Sequence, residues 1–177
     1  MPPSEFAADS LQDAAALWSI RAIRASAVVA AACDALIAGL DSPSLRALAA
    51  CFHQEADYDV PEILPAALNE LGLVYYPLES RAGEEAAARV LAFQHLAGTL
   101  TARELAAAIH RHFSHNLPLA ERLAELDDEY DILEYGNRTA EQVDADVTAE
   151  AHRLAPQPRI GSPQPTGTRP RSTPTSP

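Results

Sequence analysis

The sequence predicts an all-α protein: a compact multi-helix bundle of about seven helices built from short helical hairpins. Three observations lead there. Apolar residues recur at three- and four-residue spacing along most of the chain. No stretch sustains the period-two alternation of a half-buried strand. Helix stops at Gly39, Gly72 and Gly98 alternate with capping residues at Ser42, Thr101 and Thr139. The 177 residues fit one domain, and 47% of them are apolar, much of that alanine. Alanine favours helix but fills little volume, so the core is expected to be thin-layered and leucine-based. Its few large anchors are expected among Trp18, Phe52, Tyr75, Tyr76, Phe93, Phe113, Tyr130 and Tyr135.

The first helix is expected to run from about Ser10 to Ala38, with Leu11, Ala15, Trp18, Ala22, Ala25, Val29 and Leu36 on one stripe. Gly39 ends it. Ser42-Pro43 starts the second helix, the serine accepting a backbone N–H and the proline sitting where no donor is needed. Asp59-Val60-Pro61 is expected to open the third, which Leu71-Gly72-Leu73 closes. A loop from Tyr75 to Gly83 leads to a fourth helix over about Glu84–Ala97. Thr101 with Glu104 forms a capping box for the fifth, which reaches about Phe113. Asn116 and Pro118 open a sixth, running to about Leu133. Thr139 with Gln142 caps a seventh that ends near Leu154. The pattern helix, glycine, cap, amphipathic helix occurs twice, at Leu36–Ala49 and at Leu96–Ala108, a faint internal echo.

From Pro156 the composition shifts. Residues 156–177 hold seven of the fourteen prolines, three arginines and no acidic residue. Such a segment buries too little apolar surface to offset the entropy of ordering it. The expected organisation is therefore a helical domain over residues 1–155 and a disordered Pro/Thr/Ser-rich tail over 156–177.

The formal net charge is −12, and all thirteen basic side chains are arginines. Between Glu121 and Glu150 eleven carboxylates face two arginines, Arg122 and Arg138. A surface of that sign repels a phosphate backbone and attracts a basic protein. The longest apolar run, Ala25 to Leu40, contains Asp34 and falls short of the ~20 residues of a membrane span. Glu5, Asp9 and Asp13 stand where a signal peptide would be basic. Cys33 and Cys51 have no metal-binding spacing and are expected as buried, reduced thiols. A cytoplasmic protein is expected.

The histidine cluster His110-Arg111-His112-Phe113-Ser114-His115 is the one concentration of metal-ligating chemistry. On a continuous helix His112 and His115 share a face, while His110 and His115 fall to opposite sides, so His112 and His115 are the candidate ligands. The segment His53 to Asp59 has alternate carboxylates, but lacks the glycine and glutamate that a calcium-binding EF-hand loop requires. Tyr130 to Glu134 fits the short tyrosine-x-x-x-glutamate export pattern, without the tryptophan-x-glycine turn that accompanies it.

No nucleophile elbow, phosphate loop or dinucleotide fingerprint occurs. The expectation is a non-enzymatic interaction module, inhibitor- or adaptor-like. It presents Glu125, Asp127, Asp128, Glu129, Asp131 and Glu134 to a basic protein partner and needs no cofactor. Two alternatives stand beside it. One is a small metal-binding protein or enzyme using His110, His112 and His115. The other is a ligand-sensing domain with its pocket near Trp18, Phe93 and Tyr75.

Overall fold

The computed structural model describes residues 3–52 and 55–155. The expected tail, residues 156–177, and the His53-Gln54 part of the rejected calcium loop lie outside them. Among the described residues the chain is all-helical, with eight α-helices, one short 3₁₀ turn and no strand. The helices are α1 (Pro3–Ser19), α2 (Ala25–Ile37), α3 (Pro43–Ala49), α4 (Ala56–Glu70), α5 (Arg81–Leu96), α6 (Ala102–Phe113), α7 (Glu121–Asp131) and α8 (Ala140–Leu154). The 3₁₀ turn, Leu133–Tyr135, lies between α7 and α8.

The single long first helix of the sequence reading is two helices. Arg21 takes a left-handed conformation, φ +59°. Its N–H donates to the Trp18 carbonyl and that of Ala22 to Leu17, at 2.9 and 3.0 Å. These two bonds form the Schellman closure that ordinarily carries a glycine. Gly39, Gly72 and Gly98 close α2, α4 and α5 by the same pair of bonds, each with positive φ. Trp18 and Val29 consequently do not lie on one helix face; they sit on α1 and α2 and meet in the same apolar cluster.

Three caps are as the sequence reading placed them. The Ser42 side chain accepts from Leu45 N–H, and Thr101 and Thr139 form complete capping boxes with Glu104 and Gln142. Three starts differ. α4 begins at Ala56, without a side-chain cap, so Asp59 lies within its first turn and Pro61 inside the helix. Ala56 and Val60, one turn apart, are both buried, and that packing holds the extra turn. α5 begins at Arg81 under a Ser80 cap. α7 starts at Glu121, a few residues later than Asn116 and Pro118 signal.

Two apolar clusters fill the molecule. Leu11, Trp18, Val28, Val29, Leu45, Leu48, Leu64 and Leu68 pack α1 to α4 together. Val90, Leu91, Leu105, Ile109, Phe113, Leu123, Leu126, Val143 and Val147 join α5 to α8. α1 is the seam: Leu11, Ala15 and Trp18 face the first cluster, Ala16 and Leu17 the second. The N-terminal turn of α5 approaches that seam at Gly83, where an added Cβ would stand 2.5 Å from Ser19 Oγ. Of the expected aromatic anchors, Trp18, Phe113 and Tyr130 are buried, while Phe52, Phe93 and Tyr135 are exposed. No described helix is long and apolar enough to cross a membrane.

Candidate functional site

The acidic block folds onto α7, the 3₁₀ turn and α8, with α6 beside it. Leu123, Leu126 and Tyr130 bury one stripe of α7, and Val143 and Val147 one stripe of α8. The carboxylates are thereby left on the outer faces and along the seams.

The seam between α7 and α8 is a charged network. Arg122 reaches Glu125 and Glu129, each at 2.9 Å. Arg138, from the turn before α8, binds Glu129 and also lies 2.6 Å from Asp146. Glu129 is thus held between two guanidinium groups with only 25% of its side chain exposed. The Tyr130 hydroxyl donates to Asp144, and burial, with that carboxylate next, pushes its pKa up. Arg103 of α6 stacks 5.1 Å above the Tyr130 ring and reaches Asp131 at 3.3 Å.

A second seam joins the end of α6 to α7. His110 Nδ1 lies 3.0 Å from Asp127 Oδ2 and 3.6 Å from Asp128 Oδ1. His115 Nε2 lies 3.2 Å from Asp128 Oδ2. On an unbroken helix, residues five apart are separated by about 140°. Here α6 stops at Phe113 and Ser114 adopts φ +49°, which swings His115 back until its ring centroid is 5.1 Å from that of His110. The structure therefore brings together His110, His115 and Asp128, rather than His112 and His115. His112 instead lies beside Phe113, where burial and then Arg111 lower its pKa.

Of the six carboxylates expected to meet a partner, five have a cationic or imidazole neighbour: Glu125, Asp127, Asp128, Glu129 and Asp131. Glu134 is exposed and joins no ion pair among the described residues. Beside it, two apolar side chains point outward, Ile132 at 59% exposure and Tyr135 at 84%. The sequence reading placed Tyr135 in the core. Its signal was the Gly136-Asn137 turn directly after it, which interrupts the helical stripe.

An open groove of about 410 Å³ lies where α1 gives way to α2, lined by Trp18, Arg24, Asp57 and Leu78 among others. Tyr75 packs against the first cluster, and Phe93 is exposed on α5 outside the groove lining. Trp18, Tyr75 and Phe93 do not line one cavity there. Cys33 and Cys51 are free and half-buried, each donating to a backbone carbonyl at 3.5 Å, and burial raises the Cys51 pKa.

Comparison of the chain with protein-family models, curated proteins and solved structures returned no match.

Proposed function

We propose that this chain is a non-enzymatic interaction protein, inhibitor- or adaptor-like, whose acidic corner between α7 and α8 docks a basic protein partner. The observation that carries the reading is the exposure of Ile132 and Tyr135 within the acidic block. Protein interfaces concentrate their energy in a few large side chains, tyrosine prominent among them, ringed by polar groups that exclude water. Asp131 and Glu134, exposed and next to Ile132 and Tyr135 along the chain, supply such polar groups here. Their charge steers a cationic surface toward the corner, and Tyr135 provides the apolar contact that holds it.

The arginine network narrows the set of contributing charges. Glu129 serves the fold more than the partner, because both Arg122 and Arg138 already hold it. Asp131 and Glu134 are the stronger contributors to docking. Cytoplasmic placement belongs to the same reading, supported by the two free thiols.

Binding to the captured partner is to be measured at about 50 and about 500 mM salt for wild type, Tyr135→Ala and the double variant Asp131→Asn/Glu134→Gln. Loss of Tyr135 is expected to cost about 2 kcal/mol, roughly thirtyfold in affinity. The charge variant is expected to slow association and flatten the salt dependence. A partner indifferent to both variants and to salt contradicts the reading.

A further inference from the structure

We infer that His110, His115 and Asp128 form a binding site for a divalent transition-metal ion of the zinc class, clasping the end of α6 to α7. The inference is independent of the docking reading and survives its failure.

The donor atoms of these three side chains all lie within 4.8 Å of one another. Zinc bonds of about 2.0–2.1 Å in a tetrahedron set neighbouring ligand atoms about 3.3–3.4 Å apart. Asp128 Oδ1 stands 3.6 Å from His110 Nδ1 and its Oδ2 3.2 Å from His115 Nε2, each near that spacing. Donor atoms within 4.8 Å of one another converge on one ion after side-chain rotation. Two imidazoles and one carboxylate suit zinc, cobalt or nickel, whereas magnesium and calcium prefer all-oxygen sites.

The ligands are carried on fixed supports. Ile109 and Phe113, buried on either side of His110 in sequence, set the register of α6. Leu126 and Tyr130, both buried, do the same for Asp128 on α7. The left-handed turn at Ser114 then aims His115 at the same carboxylate. A simple ion pair accounts for one histidine against Asp127 or Asp128. It does not account for a second imidazole converging on Asp128 from beyond the helix end. Metal binding at His110 Nδ1 displaces the hydrogen bond that this nitrogen shares with Asp127 Oδ2 at 3.0 Å. The partly exposed side chains leave a path for entry and a position for water.

The full chain, prepared without a histidine tag, is to be titrated with cobalt(II), followed by its visible absorption bands, and with zinc(II) in competition. Wild type and His112→Gln are expected to bind one equivalent, with a melting temperature that rises in excess zinc. His115→Gln and Asp128→Asn, both at exposed positions, are expected to fold normally and to lose at least tenfold in affinity and most of the zinc-dependent rise. Magnesium is expected to leave all four proteins unchanged. Absence of stoichiometric binding to wild type overturns the inference, as does binding that persists undiminished in both His115→Gln and Asp128→Asn.

Discussion

His110 Nδ1, near the end of α6, lies 3.0 Å from Asp127 Oδ2 on α7, so a carboxylate of the acidic block is also a tie between two helices. Glu129 is likewise held, by Arg122 of its own helix and by Arg138 of the turn before α8, whereas Asp131, though paired with Arg103, keeps 73% of its side chain exposed. Much of the block's charge thus meets its counter-charge within the fold. What stays free to act on a partner is the outer rim around the 3₁₀ turn.

That division predicts unequal effects of neutralisation. Glu129→Gln leaves two half-buried guanidinium groups with a weaker acceptor, and stability is expected to fall by about 1–2 kcal/mol. Glu134→Gln, on the exposed rim, is expected to stay within about 0.5 kcal/mol of wild type. Urea denaturation of both variants checks the ordering. Equal effects would dissolve the distinction between tie and rim.

The caps were legible in the sequence because their chemistry is local. Ser42, Thr101 and Thr139 bond to N–H groups three residues on, and Gly39, Gly72 and Gly98 take the positive φ that other residues resist. The break after α1 was hidden for the same reason: its left-handed residue is Arg21, which no local rule singles out. Glu79 lies opposite, also left-handed at φ +57°, and pairs with Arg21 at 3.0 Å while its N–H donates to the Ser19 carbonyl. Those contacts span 58 and 60 positions of sequence and are invisible to periodicity. The histidine pairing was misjudged because helical spacing was carried to His115, beyond the expected helix end near Phe113. Ser114 changes the direction of the chain, and helical spacing ceases to hold beyond it.

Gly83 offers a test of the seam between α1 and α5. Alanine for glycine inside a helix ordinarily stabilises, by about 0.5–1 kcal/mol. Here the new Cβ meets Ser19 Oγ at 2.5 Å, and that hydroxyl is fully buried and donates to the Ala16 carbonyl at 2.7 Å. Gly83→Ala is therefore expected to destabilise by about 1–3 kcal/mol. Adding Ser19→Ala is expected to recover part of the loss, since Ser80 Oγ and Tyr76 Cβ remain close. A more stable single variant would mean that α1 and α5 are packed less closely than described.

Asp13 on α1 gives the protein a defined pH dependence. Burial, and then the neighbouring Asp9 charge, raise its pKa from 3.8 to about 6. The folded state therefore holds a proton that the unfolded chain has already released, and ionising the group costs native stability. Its contribution is expected to weaken the fold as pH rises from about 4 through about 6, and to level off above that. Asp13→Asn is expected to match wild type near pH 4 and to melt higher near pH 7. Parallel melting curves across that interval would place Asp13 in solvent.

The central claim is that the corner at Tyr135 meets a basic protein. The most direct test places a photo-crosslinking benzoylphenylalanine at position 135 in living cells of the native host, with the same residue at the exposed position 37 of α2 as the control. The account predicts a specific adduct from position 135 with a protein of basic isoelectric point, abolished by Asp131→Asn/Glu134→Gln and not formed from position 37. No adduct at 135, or equal adducts from both positions that survive loss of those two charges, would contradict it.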